Sequence, residues 1–399
     1  MCAVQTSSPP TPIRERHSEE PSRSEAREAP VFSPRRVGGS SAQEPRDVRA
    51  GACAVMDEPE WAPASPETQA EPWLPRCRER AEENVWAVVL AGGEGRRLQA
   101  LTRSPHGVAV PKQFCRFRDD RSMLRVTLDR ARRLVGPQRI VVVVTERHRP
   151  WWEGELGHLP PENVLVQPEN RGTAVAILHA LMRIRGRGRS PMLLVMPSDH
   201  DFDDEGVLLR RAQHALRIAA VFENDLVLLG IVPAHIDVEY GLIVPAPGEE
   251  QASRRVMTFV EKPSLSTAVR LMRHGAVWNS FIFACTGSAL CRLYEEAAPA
   301  LLAAYVEGAG AAAGDTEATS RLFRGLPTHD FSRDLLQREA SRLRLIAVPP
   351  CGWTDLGTPA RLAAWLDRHR EAAFWRNCGF SGASGSVDPP GGEWHERTA

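Results

Sequence analysis

Apolar residues along this chain fall into two kinds of stretch that alternate. Short unbroken runs appear as "VWAVVLA" (85–91), "RIVVVVT" (139–145), "NVLVQ" (163–167), "PMLLVMP" (191–197) and "DLVLLGI" (225–231). Between them, "SMLRVTLDRARRLV" (122–135), "TAVAILHALMRI" (173–184) and "EGVLLRRAQHALRIAAV" (205–221) carry apolar residues at helical spacing. Continuous apolar strands separated by amphipathic helices predict an α/β fold, with a parallel sheet covered on both faces. Beyond residue 235 the pattern loosens. It predicts strands near 240–245, 254–261 and 277–285, a further strand in "LRLIAVP" (343–349), and helices after 264 and after 287. No internal repeat is visible.

The two ends read differently. Residues 1–80 are rich in Pro, Ser, Glu and Arg and poor in aliphatic side chains. Such a segment buries too little apolar surface to offset its chain entropy, so a disordered extension is expected there. Met56 lies inside it and would serve equally as a start; a chain beginning there, or near Arg80, is expected to fold and work. The organisation expected is an extension over 1–80, one folded domain over 84–375 and a flexible tail over 376–399.

Composition narrows the function classes. Hydrophobic residues make up 42% of 399, enough for a core, and fifty acidic side chains balance fifty basic ones. That balance argues against a general nucleic-acid binder, which carries a basic excess. No apolar run approaches the ~20 residues of a membrane span, and the first residues lack the basic start and apolar stretch of a secretory signal. Eight cysteines form no CxxC pair and show no zinc spacing, which predicts reduced thiols in a cytoplasmic protein. One asymmetry stands out: 48 of the basic residues are arginine, and only Lys112 and Lys262 are lysine. A compact ammonium differs from a planar, forked guanidinium, so these two mark candidate sites where a point charge matters.

In an open parallel sheet, ligands bind beyond the carboxyl ends of the strands. After the first strand comes "AGGEGRRL", Ala91 to Leu98, where Gly92, Gly93 and Gly95 let successive N–H groups face an anion, with Arg96 and Arg97 close behind. A glycine-rich connector without a ligand reads the same way. Leu98 in place of a third glycine excludes the dinucleotide fingerprint, and no Gly-Lys-Ser/Thr follows to make a Walker A loop. Asp199 follows the fourth strand in "PSDHDF", and Asp355 lies in the turn "GWTDLGTP". Strand-to-helix turns favour Asp as a helix cap, a duty that suits Asp201, Asp203 and Asp204 better than Asp199. Two aspartates at sheet edges could also hold one Mg²⁺, which takes few carboxylates plus substrate phosphates.

Taken together, "VVLAGGEGRRLQALTR", "PKQF", "QPENRGTA", "MPSDH", "GIVPAHIDVEYGLI", "FVEKP", "WNSFIF" and "GWTDLGT" resemble, in order from residue 85 to 370, the sugar-phosphate nucleotidyltransferases. The nearest pattern is that of the mannose-1-phosphate guanylyltransferases without their C-terminal isomerase domain. The resemblance implies a Rossmann-like nucleotidyltransferase domain with a mixed, mostly parallel sheet flanked by helices. It implies transfer of a nucleoside monophosphate from an NTP, GTP first, to a sugar 1-phosphate, mannose 1-phosphate first, with release of pyrophosphate. It implies Mg²⁺ as cofactor and substrates as partners, with neither nucleic acid nor membrane; a homo-oligomer is compatible with it. By resemblance, Ala91, Gly92, Gly93 and Gly95 cradle the NTP, Arg97 holds its outer phosphates and Lys112 stands at the reacting α-phosphate. Gln167, Gly172 and Thr173 belong to the base-reading loop. Asp199 and Asp355 match the metal pair, while Gly241, Glu261, Lys262 and Asn279 match the sugar-phosphate pocket.

The departures from that pattern lie mostly on the sugar side. Arg96 replaces a small hydroxyl residue, and Gln99-Ala100 replaces Trp-Pro. Phe281 replaces the glycine after "WNS" and is expected to crowd or reshape the sugar pocket. Glu239 and Leu242 stand where Gly and Tyr are typical, and of the motif echoed in "THDFSRDLLQRE" only Asp330 is a clear match. The same chemistry on another base or hexose, or a catalytically silent regulatory homologue, are the alternatives.

Overall fold

The computed structural model describes residues 84–369, apart from 104–106, 188–190, 249–252 and 310–315. The N-terminal extension and the tail expected from the sequence lie outside the described residues, as do 370–375. The strands are β1 (Val85–Leu90), β2 (Ile140–Thr145), β3 (Val164–Gln167), β4 (Met192–Pro197), β5 (Leu226–Ile231), β6 (Leu242–Pro245), β7 (Arg254–Val260), β8 (Val277–Thr286) and β9 (Leu343–Val348). Their order in one sheet is β3-β2-β1-β4-β8-β5-β9-β7-β6, with β6 also pairing β8. The strands therefore form where the apolar runs predict them.

Their directions refine the expectation. β1, β2, β3 and β4 are mutually parallel, and β5 is parallel to β9. β8, however, runs antiparallel between β4 and β5, and β7 runs antiparallel to β6 and β9. The sheet is mixed, as the resemblance implied, rather than wholly parallel, as the apolar runs alone suggest. Nine of ten β8 residues are buried, and a strand covered on both faces has the same apolar run whichever way it points.

Successive side chains of a strand point to opposite faces, and the core divides accordingly. Ala87, Val89, Ile140, Val142 and Val144 belong to one apolar layer, Val88, Val141 and Val143 to the other. Helices α1 (Met123–Arg132), α2 (Arg149–Leu156), α4 (Glu205–Val221), α5 (Leu265–Met272) and α9 (Pro359–Arg368) cover the first layer. The second is covered by α3 (Gly172–Arg185), α6 (Gly287–Ala297), α7 (Pro299–Ala309), α8 (Thr316–Gly325) and a π-helical turn, Phe331–Leu336. Helices α2, α7, α8 and α9 are additional to those expected from periodicity. Asp204 caps α4 by accepting from the Val207 N–H, which leaves Asp199 free of that duty.

The four cysteines within the described residues, Cys115, Cys285, Cys291 and Cys351, are buried thiols that form no disulfide. Among those residues no helix is long and apolar enough to cross a membrane.

Packing is close where β5 lies between β8 and β9 in the sheet. A Cβ on Gly230 would lie 2.3 Å from Val277 Cγ2 and 2.6 Å from Leu345 Cδ1, at the point where the β5–β8 register shifts. Gly230→Ala is expected to destabilise the domain by about 1–3 kcal/mol through overpacking. The measurement is a lowered urea midpoint at unchanged slope.

Candidate active site

The loop after β1 is held by a residue that the motif reading passed over. Gln113 Nε2 donates to the carbonyls of Ala91 and Gly93, each at 2.9 Å, which fixes the curvature of the glycine turn. Gly95 has φ 60, and a Cβ there would meet the Lys112 nitrogen at 3.1 Å, so the turn lies directly against the Lys112 backbone. Asn170 Nδ2 donates to the Gly92 carbonyl at 3.1 Å and joins the loop after β3 to the same turn. Gln167, at the end of β3, is buried with its Nε2 unpartnered, and its Oε1 would be 3.4 Å from a Cβ on Gly92.

Lys112 is at the centre. It opens a single 3₁₀ turn after Pro111, and its side chain is 7% exposed. Nζ lies 2.8 Å from Asp199 Oδ2 and also donates to the Asp355 carbonyl. Two antiparallel backbone bonds between Asp201 and Thr354 tie the Asp199 and Asp355 turns together. Residues 87 and 243 positions away from Lys112 thus meet at one ammonium.

The Asp355 carboxylate is turned to other partners. Oδ1 accepts from the Tyr240 hydroxyl at 3.0 Å, the Gly357 N–H at 2.9 Å and Arg361 at 3.0 Å, whereas Oδ2 accepts only from Arg361, at 3.1 Å. Burial pushes the Asp355 carboxyl up, but Lys112 first, then His200 and Arg361, outweigh it and hold the group below the usual carboxylate range. His200, beside Asp199, is pushed down to about 4 by burial and is neutral. Its Nδ1 accepts from Trp353 Nε1, which leaves the proton on Nε2, 3.9 Å from Asp199 Oδ1.

Mg²⁺ suits this donor set. Asp199 Oδ1 and Asp355 Oδ2 keep acceptor capacity, and no cluster of three metal-binding side chains exists among the described residues. That is the environment in which Mg²⁺ relies on one or two carboxylates, water and substrate phosphate.

The loop 236–241 joins this centre to the second half of the site. Tyr240 reaches Asp355, as above, and packs with Trp278 and Trp353 at centroid distances of 5.1 and 5.0 Å. One ring comes from each of three motifs. Gly241 accepts from the Asn279 N–H at 2.8 Å, and a Cβ on Gly241 would lie 2.6 Å from Glu261 Oε2. Gly241, Glu261 and Asn279 therefore converge, and Lys262 follows Glu261 at the end of β7. Burial, then the nearby Asp330, pushes the Glu261 carboxyl up to about 7. Asn279 Nδ2 donates to Ser332 Oγ at 3.3 Å, and Gln337 Oε1 accepts from the Glu261 N–H at 2.8 Å, so the π-helical turn supports this side.

Arg97 lies at the cleft mouth, 2.7 Å from Glu239, one of the departures noted in the sequence. Arg96, whose partner the sequence left open, pairs with Glu94 at 2.5 Å. Gly172 and Thr173 face the 329–331 segment. Gly172 has φ 87 and a Cβ there would strike the His329 carbonyl oxygen at 2.2 Å, while Thr173 Oγ1 accepts from the Phe331 N–H at 2.8 Å. Phe281 packs its half-buried ring edge-on against Phe331 at 6.2 Å. Lys262, Phe281 and Leu356 are the non-glycine residues with positive φ among those described, at 48°, 59° and 45°. Each such backbone costs about 1–2 kcal/mol, and strain of this kind gathers at functional sites. A left-handed residue 281 also explains why glycine suits that position in the resembling family.

Residues 86–369 match the sequence profile of the family described as nucleotidyl transferase. The chain is 32% identical over 282 residues to the xanthan biosynthesis protein XanB of Xanthomonas campestris, and 31% identical over 291 residues to a mannose-1-phosphate guanylyltransferase of Escherichia coli. These matches take in 69% and 70% of this chain, which spans 58% and 59% of those relatives' lengths. A solved Thermus thermophilus structure, titled a mannose-1-phosphate geranyltransferase, is 28% identical with a TM-score of 0.58, covering 69% of this chain and 76% of that one. With the profile extending across the whole described domain, the chain belongs to the nucleotidyl transferase family.

Proposed function

We propose that the chain transfers a nucleoside monophosphate from an NTP, GTP by preference, to a sugar 1-phosphate, mannose 1-phosphate by preference. The observation that carries this reading is the convergence of Asp199, Asp355 and Lys112 beside the glycine turn. An oxygen of the sugar phosphate attacks the α-phosphorus, and the bond from that phosphorus to the leaving pyrophosphate breaks. The attacking phosphate is already ionised at neutral pH, so no general base is required. The difficulty is bringing two anions together, which positive charge and alignment must overcome.

The turn at Ala91, Gly92, Gly93 and Gly95, pinned by Gln113, presents backbone N–H groups to the polyphosphate. Lys112 leaves Asp199 to balance charge growing on the α-phosphoryl oxygens. Arg97 exchanges Glu239 for the outer phosphates, and the exchange is cheap because an exposed ion pair is worth only about 0–1 kcal/mol. Gln167, Gly172 and Thr173 lie on the base side. Lys262 draws in the sugar phosphate, with Gly241, Glu261 and Asn279 forming the pocket floor. Mg²⁺, when held by Asp199 and Asp355, supplies Lewis-acid neutralisation of the phosphates. The departures at Glu239, Leu242 and Phe281 favour a second reading, the same transfer to a different hexose 1-phosphate.

Pyrophosphate release measured across four NTPs and a panel of sugar 1-phosphates should show one preferred pair, with GTP as donor. No turnover by the folded protein with any pair in the presence of Mg²⁺ would instead indicate a silent regulatory homologue. Lys112→Arg should lose most activity, at least ~10-fold, because the larger fork cannot occupy the point between carboxylate and carbonyl. Near-normal rates in that variant refute the role given to the ammonium. Glu261 is neutral below about pH 7 and anionic above it. The KM for sugar phosphate should therefore rise between pH 6 and pH 8 as the ionised carboxylate repels the substrate. Glu261→Gln should flatten that rise, since the substrate's own ionisation is common to both proteins.

A further inference from the structure

Arg361, in the first turn of α9, lies outside every motif that points to the site, yet its guanidinium is fastened to two acids of that site. One Nη donates to both Asp355 oxygens, while the other Nη and Nε donate to Asp237 Oδ2 at 2.7 and 3.2 Å. The side chain is 14% exposed and lies over the Tyr240 ring at 4.1 Å. Asp237 Oδ1 in turn accepts from the Glu239 N–H at 2.9 Å, so the clamp fixes the 236–241 loop as well.

We propose that Arg361 is a positioning residue for the transfer reaction, and this rests on the function proposed above. It sets the rotamer of Asp355 so that Oδ1 is saturated and Oδ2 alone is offered to a phosphate-bound cation. It also holds the 236–241 loop at the height that brings Tyr240 to Asp355 and Gly241 under Glu261. The fork is what the task requires: five N–H donors in one plane reach two carboxylates of different loops, which a single ammonium cannot do with the same geometry. Arg361 itself touches neither substrate.

The experiment compares the full-length protein with Arg361→Lys and Asp237→Asn. Melting temperature, GTP binding without metal, Mn²⁺ binding in the presence of GTP followed by electron paramagnetic resonance, and steady-state kinetics across Mg²⁺ concentrations are measured on each. Arg361→Lys should remain folded and bind metal-free GTP as the parent does. Its Mn²⁺ affinity with GTP and its kcat should fall, each by roughly 10-fold, the scale seen when the partner of a metal-binding carboxylate is altered. Asp237→Asn, which keeps the Asp355 arm, should raise the KM for sugar phosphate and leave Mn²⁺ affinity near the parent value. Parent-like Mn²⁺ affinity and kcat in Arg361→Lys, with or without a lower melting temperature, overturn the inference, because a merely structural clamp moves only the melting temperature. An inactive parent protein would sink the transfer reading separately, while the Mn²⁺ titration would still report whether Arg361 orients Asp355.

Discussion

The ammonium of Lys112 is the constraint around which this site is organised. A charge withdrawn from water is costly unless it is paired, and Lys112 is 7% exposed. Its partners are a carboxylate from the turn after β4 and a main-chain carbonyl from the turn after β9. Satisfying one buried charge therefore requires two loops, far apart in sequence, to arrive at the same place. The Asp201–Thr354 backbone bonds hold them there, and the antiparallel β8 lies between β4 and β5 in the sheet beneath. The same requirement suits a phosphate site, because partners that stabilise an ammonium at rest can be exchanged for phosphate oxygens.

Around that point the site is built from mutually opposed charges whose exposure rises from the buried centre to the mouth. Asp199, Asp355, Asp237 and Glu239 face Lys112, Arg361 and Arg97. The tight pairs, at Lys112 and Arg361, are largely buried, whereas Arg97–Glu239 is half exposed at the mouth. The arrangement divides the work physically. The Arg361 pairs fix geometry, since breaking a buried pair leaves an uncompensated charge; the Lys112 pair, open to solvent on its Asp199 side, and the exposed Arg97–Glu239 pair are those that the proposed transfer exchanges for phosphate oxygens.

Much of this was legible in the residues and some was not, for reasons that differ by element. β1 to β5 were readable because covered strands are continuous apolar runs. The direction of β8 was not, since that run is the same in either sense. Helix α2, "RPWWEGEL", carries a proline and a glycine in eight residues and so shows little periodicity. The glycine turn, Lys112, Asp199 and Asp355 were visible as unusual residues at strand ends. Gln113 and Arg361 were not, because a polar side chain that acts on a distant backbone or acid leaves no periodic trace. Asp237 lies 124 residues from Arg361. The one signal available for Gln113 was its place within "PKQF", next to a rare lysine.

That rarity can be explained by shape. A chain with 48 arginines and two lysines has no shortage of guanidinium, and it uses the fork where two acids must be bridged, at Arg361. At Lys112 the partners are a carboxylate and a carbonyl that close around a narrow, buried point, and Gly95 presses on the backbone from the other side. A planar group with donors spread over several ångströms would have to push one of these away. At Lys262 the constraint is different: the residue is exposed and its backbone is left-handed, so a flexible stem carrying a compact charge suits a phosphate that must arrive and leave. The two lysines and Arg361 are therefore not interchangeable cations. Each occupies the position whose surrounding oxygens match its own arrangement of donors.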